Sequence, residues 1–481
     1  LANKTQVKLR LFVVLDDLFK TGVGMIHPYT ALLRVVFAGG LLFLHSLMAV
    51  AADNTEDLRR QLNDMKAQMK SLNETYGQQI NALEKRLQEL EAESNKTSTV
   101  TNSTAPASPQ QSVARNNDFN IGLSGLFSAG GSSVDNDALE GLQSGAHDPN
   151  KNGFTVQNVE LSIDGTVGPY FDAQANLIFQ IDADGETVVE LEEAFFTTRS
   201  LPYGLQIKGG QFFTEFGRQN IQHPHTWAFA DQPVVLSRFF GGDGLRSQGL
   251  RTSWLMPTDW YSELYFGVQN PKGETVTSFL SEPGEDIGGL TLIDRDARSF
   301  SDLLYSVRWL NGFDLSGTLS MNLGVSGLWG PNASGRTTDT MIYGADMYMK
   351  WQPAYSQRGF PFVAWHTEIL KRRYEAGDVG NPSRETLRDW GMFTQALWGF
   401  KPGWVAGLRA EYATADGDTA NDPLRDTRKR LSPNLTWYPS EYSKVRLQYN
   451  RDWAEHLPGK TADSVWLQYE FNLGSHAAHQ F

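Results

Sequence analysis

The sequence predicts an all-β protein: a transmembrane antiparallel β-barrel of about sixteen strands, preceded by an N-terminal coiled-coil helix. Three observations carry that expectation. From Phe119 onward apolar and polar residues alternate with a period of two over many short segments. The connections between those segments alternate between tight turns and long loops. The composition is rich in Gly (45 of 481 residues) and in aromatics (12%), with only 20% charged residues, which suits strands better than helices. Cysteine is absent, so disulfide frameworks and thiolate metal sites are excluded. The net charge of −13 disfavours a nucleic-acid binder. A mean hydropathy of −0.39 argues against a helical multispanning protein. It does not argue against a barrel, whose strands keep half their residues away from lipid.

Taken in chain order, the first segment is a leader. The chain begins with Leu1, and Met25 is the expected start of a signal peptide. Arg34 forms a short basic region, Val35 to Leu44 an apolar run, and Ala49-Val50-Ala51-Ala52 the small residues before a cut near Ala52 or Asp53. The run is too short to span a bilayer comfortably. Residues 53–94 follow a heptad seam through Leu58, Leu62, Met65, Met69, Leu72 and Tyr76. After a one-step slip, Ile80, Leu83, Leu87 and Leu90 continue it, as a stutter does in a self-associating coiled coil. Residues 95–117, mostly Asn, Ser, Thr, Pro, Ala and Gln, form a flexible linker to a domain over 118–481.

The strands are expected near 119–129, 154–166, 170–182, 188–199, 203–212, 246–255, 260–269, 301–310, 316–329, 338–352, 358–370, 388–399, 403–413, 428–438, 442–452 and 463–474. In the last of these Val465, Leu467, Tyr469, Phe471 and Leu473 alternate with Trp466, Gln468, Glu470, Asn472 and Gly474. Trp404, Ala406, Leu408, Ala410 and Tyr412 do the same against Val405, Gly407, Arg409 and Glu411. Tight turns are expected after even strands, among them Gly168-Pro169, Asn311-Gly312 and Lys401-Pro402-Gly403. Long loops are expected after odd strands, near 130–153, 213–245, 270–300, 371–387 and 414–427. An even strand number puts both chain ends on the short-turn side. For a cell outer-membrane barrel that side is the periplasm, so the coiled coil is expected there.

Two segments carry a family resemblance. Val159-Glu160-Leu161-Ser162-Ile163-Asp164-Gly165-Thr166-Val167-Gly168-Pro169-Tyr170-Phe171 is a strand, a Gly-Pro turn and a second strand. Leu205-Gln206-Ile207-Lys208-Gly209-Gly210-Gln211-Phe212-Phe213-Thr214-Glu215-Phe216-Gly217 is a Gly-Gln-Phe element leading to Phe-Gly. Both resemble the bacterial outer-membrane porin superfamily, in particular the phosphate-selective porin O and P type. The ending Gly474-Ser475-His476-Ala477-Ala478-His479-Gln480-Phe481 is also similar to endings in so-called zinc-regulated TonB-dependent outer-membrane receptors. The resemblance implies a porin forming a water-filled channel for passive diffusion of small hydrophilic solutes or ions. It implies a homotrimer in the lipid bilayer, and recognition of the C-terminal Phe481 by the barrel-assembly machinery. The alternative function is a gated outer-membrane receptor or metal-ion uptake barrel. Acidic residues outnumber basic ones, 55 to 42, which runs against a phosphate preference.

The 213–245 loop is expected to fold inward and narrow the pore. Its candidates are Arg218, His223, His225, Asp231, Arg238, Asp243 and Arg246, whose mixed charges would set up a transverse field. Lumen-lining candidates on the polar strand faces are Glu190, Glu192, Glu263, Arg308, Arg409, Glu411, Lys444, Arg446 and Glu470. His223-Pro224-His225 and the pair His476 and His479 have the donor chemistry for a metal but no carboxylate at suitable sequence spacing, so no metal ligand is assigned. Asp148-Pro149-Asn150-Lys151-Asn152-Gly153 opens like a calcium loop, but its twelfth position is Val159 where Glu belongs. No nucleophile–base set stands out, so neither enzymatic activity nor a cofactor is expected.

Overall fold

The computed structural model describes residues 119–474 apart from 143–144, 182–184, 379–383, 418 and 420. The leader, the coiled coil, the linker, His476, His479 and Phe481 lie outside those residues. Sixteen antiparallel strands close into one barrel in which each pairs with its sequence neighbours and the last pairs with the first. They are β1 (Phe119–Ser132), β2 (Gly153–Val167), β3 (Phe171–Ile181), β4 (Thr187–Thr198), β5 (Leu205–Phe213), β6 (Arg246–Leu255), β7 (Tyr261–Gln269) and β8 (Leu304–Ser316). The second half comprises β9 (Leu319–Pro331), β10 (Asp339–Trp351), β11 (Phe362–Ala376), β12 (Glu385–Lys401), β13 (Trp404–Asp416), β14 (Arg428–Ser440), β15 (Ser443–Ala454) and β16 (Thr461–Gly474). Every strand expected from the two-residue period is present.

The period decides which residues face out. On β15 the outward Leu447 and Tyr449 are exposed, while the inward Lys444, Arg446, Gln448, Asn450 and Asp452 are buried. Aromatic rings cluster at both ends of the outer face. Trp404 stacks on Trp437 (5.9 Å) and Trp260 on Phe313 (6.4 Å) near the short turns. Tyr305 stacks on Trp329 (5.7 Å) and Trp390 leans on Tyr412 (5.0 Å) near the long loops. Eight residues of tilted strand separate Trp404 from Tyr412, so the band between the two girdles is about 20 Å tall.

Two expectations about the connections are corrected. Asn311-Gly312 is not a turn. Asn311 pairs with Leu323 and Gly312 with Asn322 inside the β8–β9 ladder, and the chain reverses at Gly317 and Thr318. An Asn-Gly pair is a strong turn signal only where the flanking alternation stops. Here Phe313 and Leu315 continue it. The expected loop at 371–387 is also too long, because β11 runs to Ala376 and β12 starts at Glu385. Beyond the apolar band the outward positions become Lys371, Arg373 and Glu375, so the apolar signal fades while Lys371↔Tyr343 and Arg373↔Met341 still pair.

The interior is filled rather than empty on one side. The loop after β5 carries a short helix, α2 (Val234–Phe240), whose residues are all buried. Val235, Leu236, Phe239 and Phe240 pack on inward Leu304, Leu328, Ile342, Leu370 and Phe393, joined by Phe279 from the next long loop. A smaller helix in the first long loop, α1 (Asn136–Glu140), seats Leu139 against inward Trp466 and Ala462 and against Leu457 of the β15–β16 connection.

Candidate functional site

Loop 214–245 leaves β5 and returns to β6 at one point. Thr214 N–H donates to Leu245 O (2.9 Å), and the Asn220 amide ties the two loop ends by donating to Thr214 O (2.9 Å) and Leu245 O (3.0 Å). Between these ends the loop lies against the inner wall, and wall side chains satisfy its backbone. Glu368 on β11 accepts from the Arg218 and Gln219 N–H groups at 2.7 and 2.8 Å. Gly217 sits there at φ +58°, and a Cβ would collide with the Glu368 carboxylate. Glu411 on β13 accepts from the Val234 N–H (2.6 Å) at the start of α2. Gln448 accepts from the Ala230 N–H (2.8 Å), while Asn434, Arg446 and Lys444 donate to the carbonyls of Ala228, Trp227 and His225. A loop without regular structure needs this many partners, because each buried backbone group must be matched.

Asp231 is the hub. Its carboxylate accepts from Arg409, from Arg430 (2.9 Å), from Gln448 (2.8 Å) and from Asn450 (2.8 Å). Burial alone would raise its pKa, but the Arg409 and Arg430 guanidiniums outweigh that and hold it down at about 2. Asp148, from the first long loop, accepts from the Gln232 N–H (2.8 Å) and the Gly145 N–H (2.7 Å). Burial and the nearby Asp231 charge push its carboxyl up to about 8.

The sequence-derived loop candidates separate into distinct places. His223 and His225 stack, with ring centroids 5.7 Å apart. His223 is held protonated well above the usual imidazole range. Burial opposes this, but Glu192 and Glu160 outweigh it. Asp243 lies 3.6 Å from His147, and its carbonyl accepts from Arg246, which also pairs with Glu190. Arg238 donates to the Arg425 and Asp426 carbonyls at 3.2 and 3.0 Å. Arg218 lies over the Tyr348 ring, 3.9 Å from its centroid. The three arginines thus stand against different groups: Arg218 over Tyr348, Arg238 at the Arg425 and Asp426 carbonyls, and Arg246 at Glu190.

The wall candidates all face inward, mostly in tight pairs. Arg308 meets Asp346 with two bonds of 2.6 and 3.0 Å. Arg409 contacts Glu411 (2.7 Å), Lys444 contacts Glu470 (2.5 Å), and Arg446 donates to Gln468 (2.7 Å). Glu263 accepts from Tyr265 (2.7 Å) and from Tyr261. Glu192 stands beside Glu193 on the inner face because a β-bulge in β4 leaves Asn176 opposite Glu193 but Leu177 opposite Leu191.

Several partners escaped the sequence reading: Glu160, Glu193, Glu368, Arg430 and Asp452. Arg430 and Asp452 could have been found from strand parity, since each lies two residues from a neighbour with the same inward direction. Glu193 carried no such signal, because parity assigns neighbours to opposite faces and the bulge overrides it.

No known family profile matches the chain. An uncharacterized protein of Aquifex aeolicus (strain VF5) is 32% identical over 348 residues, which span 69% of this chain and 71% of that protein. The chain belongs to the same family as that protein. Among solved structures, the outer-membrane channel DcaP of Acinetobacter baumannii is 12% identical, over 74% of this chain and 96% of its own, with a TM-score of 0.48. OprB of Pseudomonas putida is 10% identical over 74% and 94%, with a TM-score of 0.44. OmpF of Salmonella typhi, solved with daunomycin, is 11% identical over 74% and 98%, with a TM-score of 0.43. The fold assignment itself rests on the closed strand ladder.

Proposed function

We propose that this barrel lies in the outer membrane as a porin, a channel through which small hydrophilic solutes or ions diffuse passively. One observation carries the reading: an exposed apolar outer face, bounded at both ends by aromatic rings, encloses a charged interior. Leu408, Leu435, Leu447 and Leu467 lie exposed around β13–β16. Soluble monomers rarely expose a continuous apolar band of this kind, whereas lipid requires one. The long loops then face outward from the cell and the short turns face the periplasm.

Loop 214–245 narrows the passage. Its apolar cluster seals the β8–β12 side near the long loops. Toward the short turns, Asp164, Lys208, Glu215, Arg218, Glu263 and Lys350 remain only half-buried and line the wet part of the lumen. Purified protein reconstituted into planar bilayers should give stepwise ohmic conductance. Absence of steps from protein that shows heat-modifiable migration would rule out an open channel and favour the gated alternative.

A further inference from the structure

His223 stands where the inward loop meets β2 and β4. Its Nδ1 lies 2.7 Å from Glu192 Oε2 and 3.5 Å from Glu160 Oε1. Its Nε2 lies 3.0 Å from Glu193 Oε2. The second oxygen of Glu160 lies 2.9 Å from His225 Nδ1. Glu160 and Glu192 are 1% and 0% exposed, so these charges are removed from bulk water. His223 Nδ1 and Glu192 Oε2 meet as an ion pair, and among the described residues the other Glu192 oxygen, Oε1, has no hydrogen-bond partner.

We propose that Glu160, Glu192 and His223 form a binding site for one divalent first-row transition cation, which ties the loop to the barrel wall. Their ligand atoms lie within 4.8 Å of one another. Tetrahedral ligands at metal–ligand distances of about 2.0–2.2 Å stand about 3.4 Å apart. The two Nδ1–oxygen separations fall on either side of that spacing, so small side-chain shifts admit an ion. One imidazole with two carboxylates suits a borderline cation better than calcium or magnesium, which take six or more oxygens. The surroundings fit as well. Binding displaces the His223 Nδ1 proton to solvent; with Nδ1 on the ion, Nε2–H donates to Glu193, the carboxylate–histidine–metal arrangement that fixes a ligand ring. His225 likewise orients Glu160 through its second oxygen. Three carboxylates converge on two imidazoles here, and a dication offsets the surplus negative charge. The site does not depend on whether the barrel conducts.

Zn2+ is the probe. Full-length protein in detergent, stripped with chelator, should bind one Zn2+ per chain by titration calorimetry, with no comparable heat from Ca2+. E192Q and H223Q should each weaken binding by at least about tenfold, and E193Q by about 10–100-fold. Heat-modifiable migration of each variant confirms that its barrel has formed. X-ray absorption of the zinc-loaded wild type, which needs no variant, should show a nitrogen and oxygen shell containing imidazole. The proposal is overturned if the wild type binds no Zn2+, if E192Q and H223Q bind it unchanged, if Ca2+ binds equally well, or if the shell lacks imidazole.

Discussion

Asp231 gathers four side-chain donors on two oxygens, two of them from guanidiniums buried in the wall. Removing the carboxylate leaves Arg409 and Arg430 without their shared counter-ion. Breaking a buried pair on one side costs about 3–5 kcal/mol, an upper bound here because Arg409 keeps Glu411 and Arg430 keeps Asp452. D231A should therefore lower the midpoint of thermal unfolding in detergent well below that of D231N, which keeps the shape and one acceptor. Asp148 makes an opposite prediction. Its carboxyl is raised to about 8 from an ordinary 3.8, so between those pH values the folded state holds a proton that the unfolded state has lost. Stability must fall as pH rises through that window. Asp231, held at about 2, adds stability above 3.8 that is lost only as pH falls from 3.8 toward 2. Unfolding midpoints should thus decline from pH 5 to pH 8, with the raised His223 adding to the decline above 6.5, and D148N should flatten the part below 6.5. An unchanged slope in D148N would assign the effect to another group.

At the scale of the element, α2 is held by packing. Phe239 is fully buried among inward apolar residues of β8–β12, and its ring also lies 5.0 Å from the Arg372 guanidinium. F239A opens a cavity in that cluster and should cost about 3–5 kcal/mol. It should also raise the unit conductance if α2 seals its side of the passage, which single-channel recording checks. The strands were legible because a two-sided environment imposes a period of two on every strand. Legibility ended where that imposition ends. Above the band, Lys371 and Arg373 face water on the outside, so strand pairing continues with no apolar mark. Inside, Ile342 and Leu370 are apolar because α2 covers them, which no local pattern announces. The histidines of the loop were legible as donors. Of their carboxylates, Glu192 was legible only as a lumen-lining residue and Glu160 and Glu193 not at all, since the barrel brings them together from 30 to 65 residues away.

For the whole molecule, two expectations join the barrel to its surroundings. The heptad seam over 53–94 needs partner helices, and the porin reading supplies a homotrimer. Crosslinking of native detergent extracts should give trimers, and exclusive monomers would refute this. Permeation follows from where charges face water. Toward the short turns, the half-buried acids Asp164, Glu215 and Glu263 stand with the half-buried bases Lys208, Arg218 and Lys350, so these six charges cancel. The chain's net charge of −13 then tips the potential negative. A weak cation preference is expected in reversal potentials across a salt gradient. It should fade as salt rises, because screening acts over about 10 Å at 0.1 M. The three loop arginines should not act alike. Arg238 and Arg246 are buried against carbonyls and Glu190, so R238Q and R246Q should lower stability. Arg218 is half-buried over Tyr348 near the wet side, so under the proposed function its charge would act on a permeating ion at close range. R218Q alone should raise cation preference, and a reversal potential that does not move would place the ion path away from the loop.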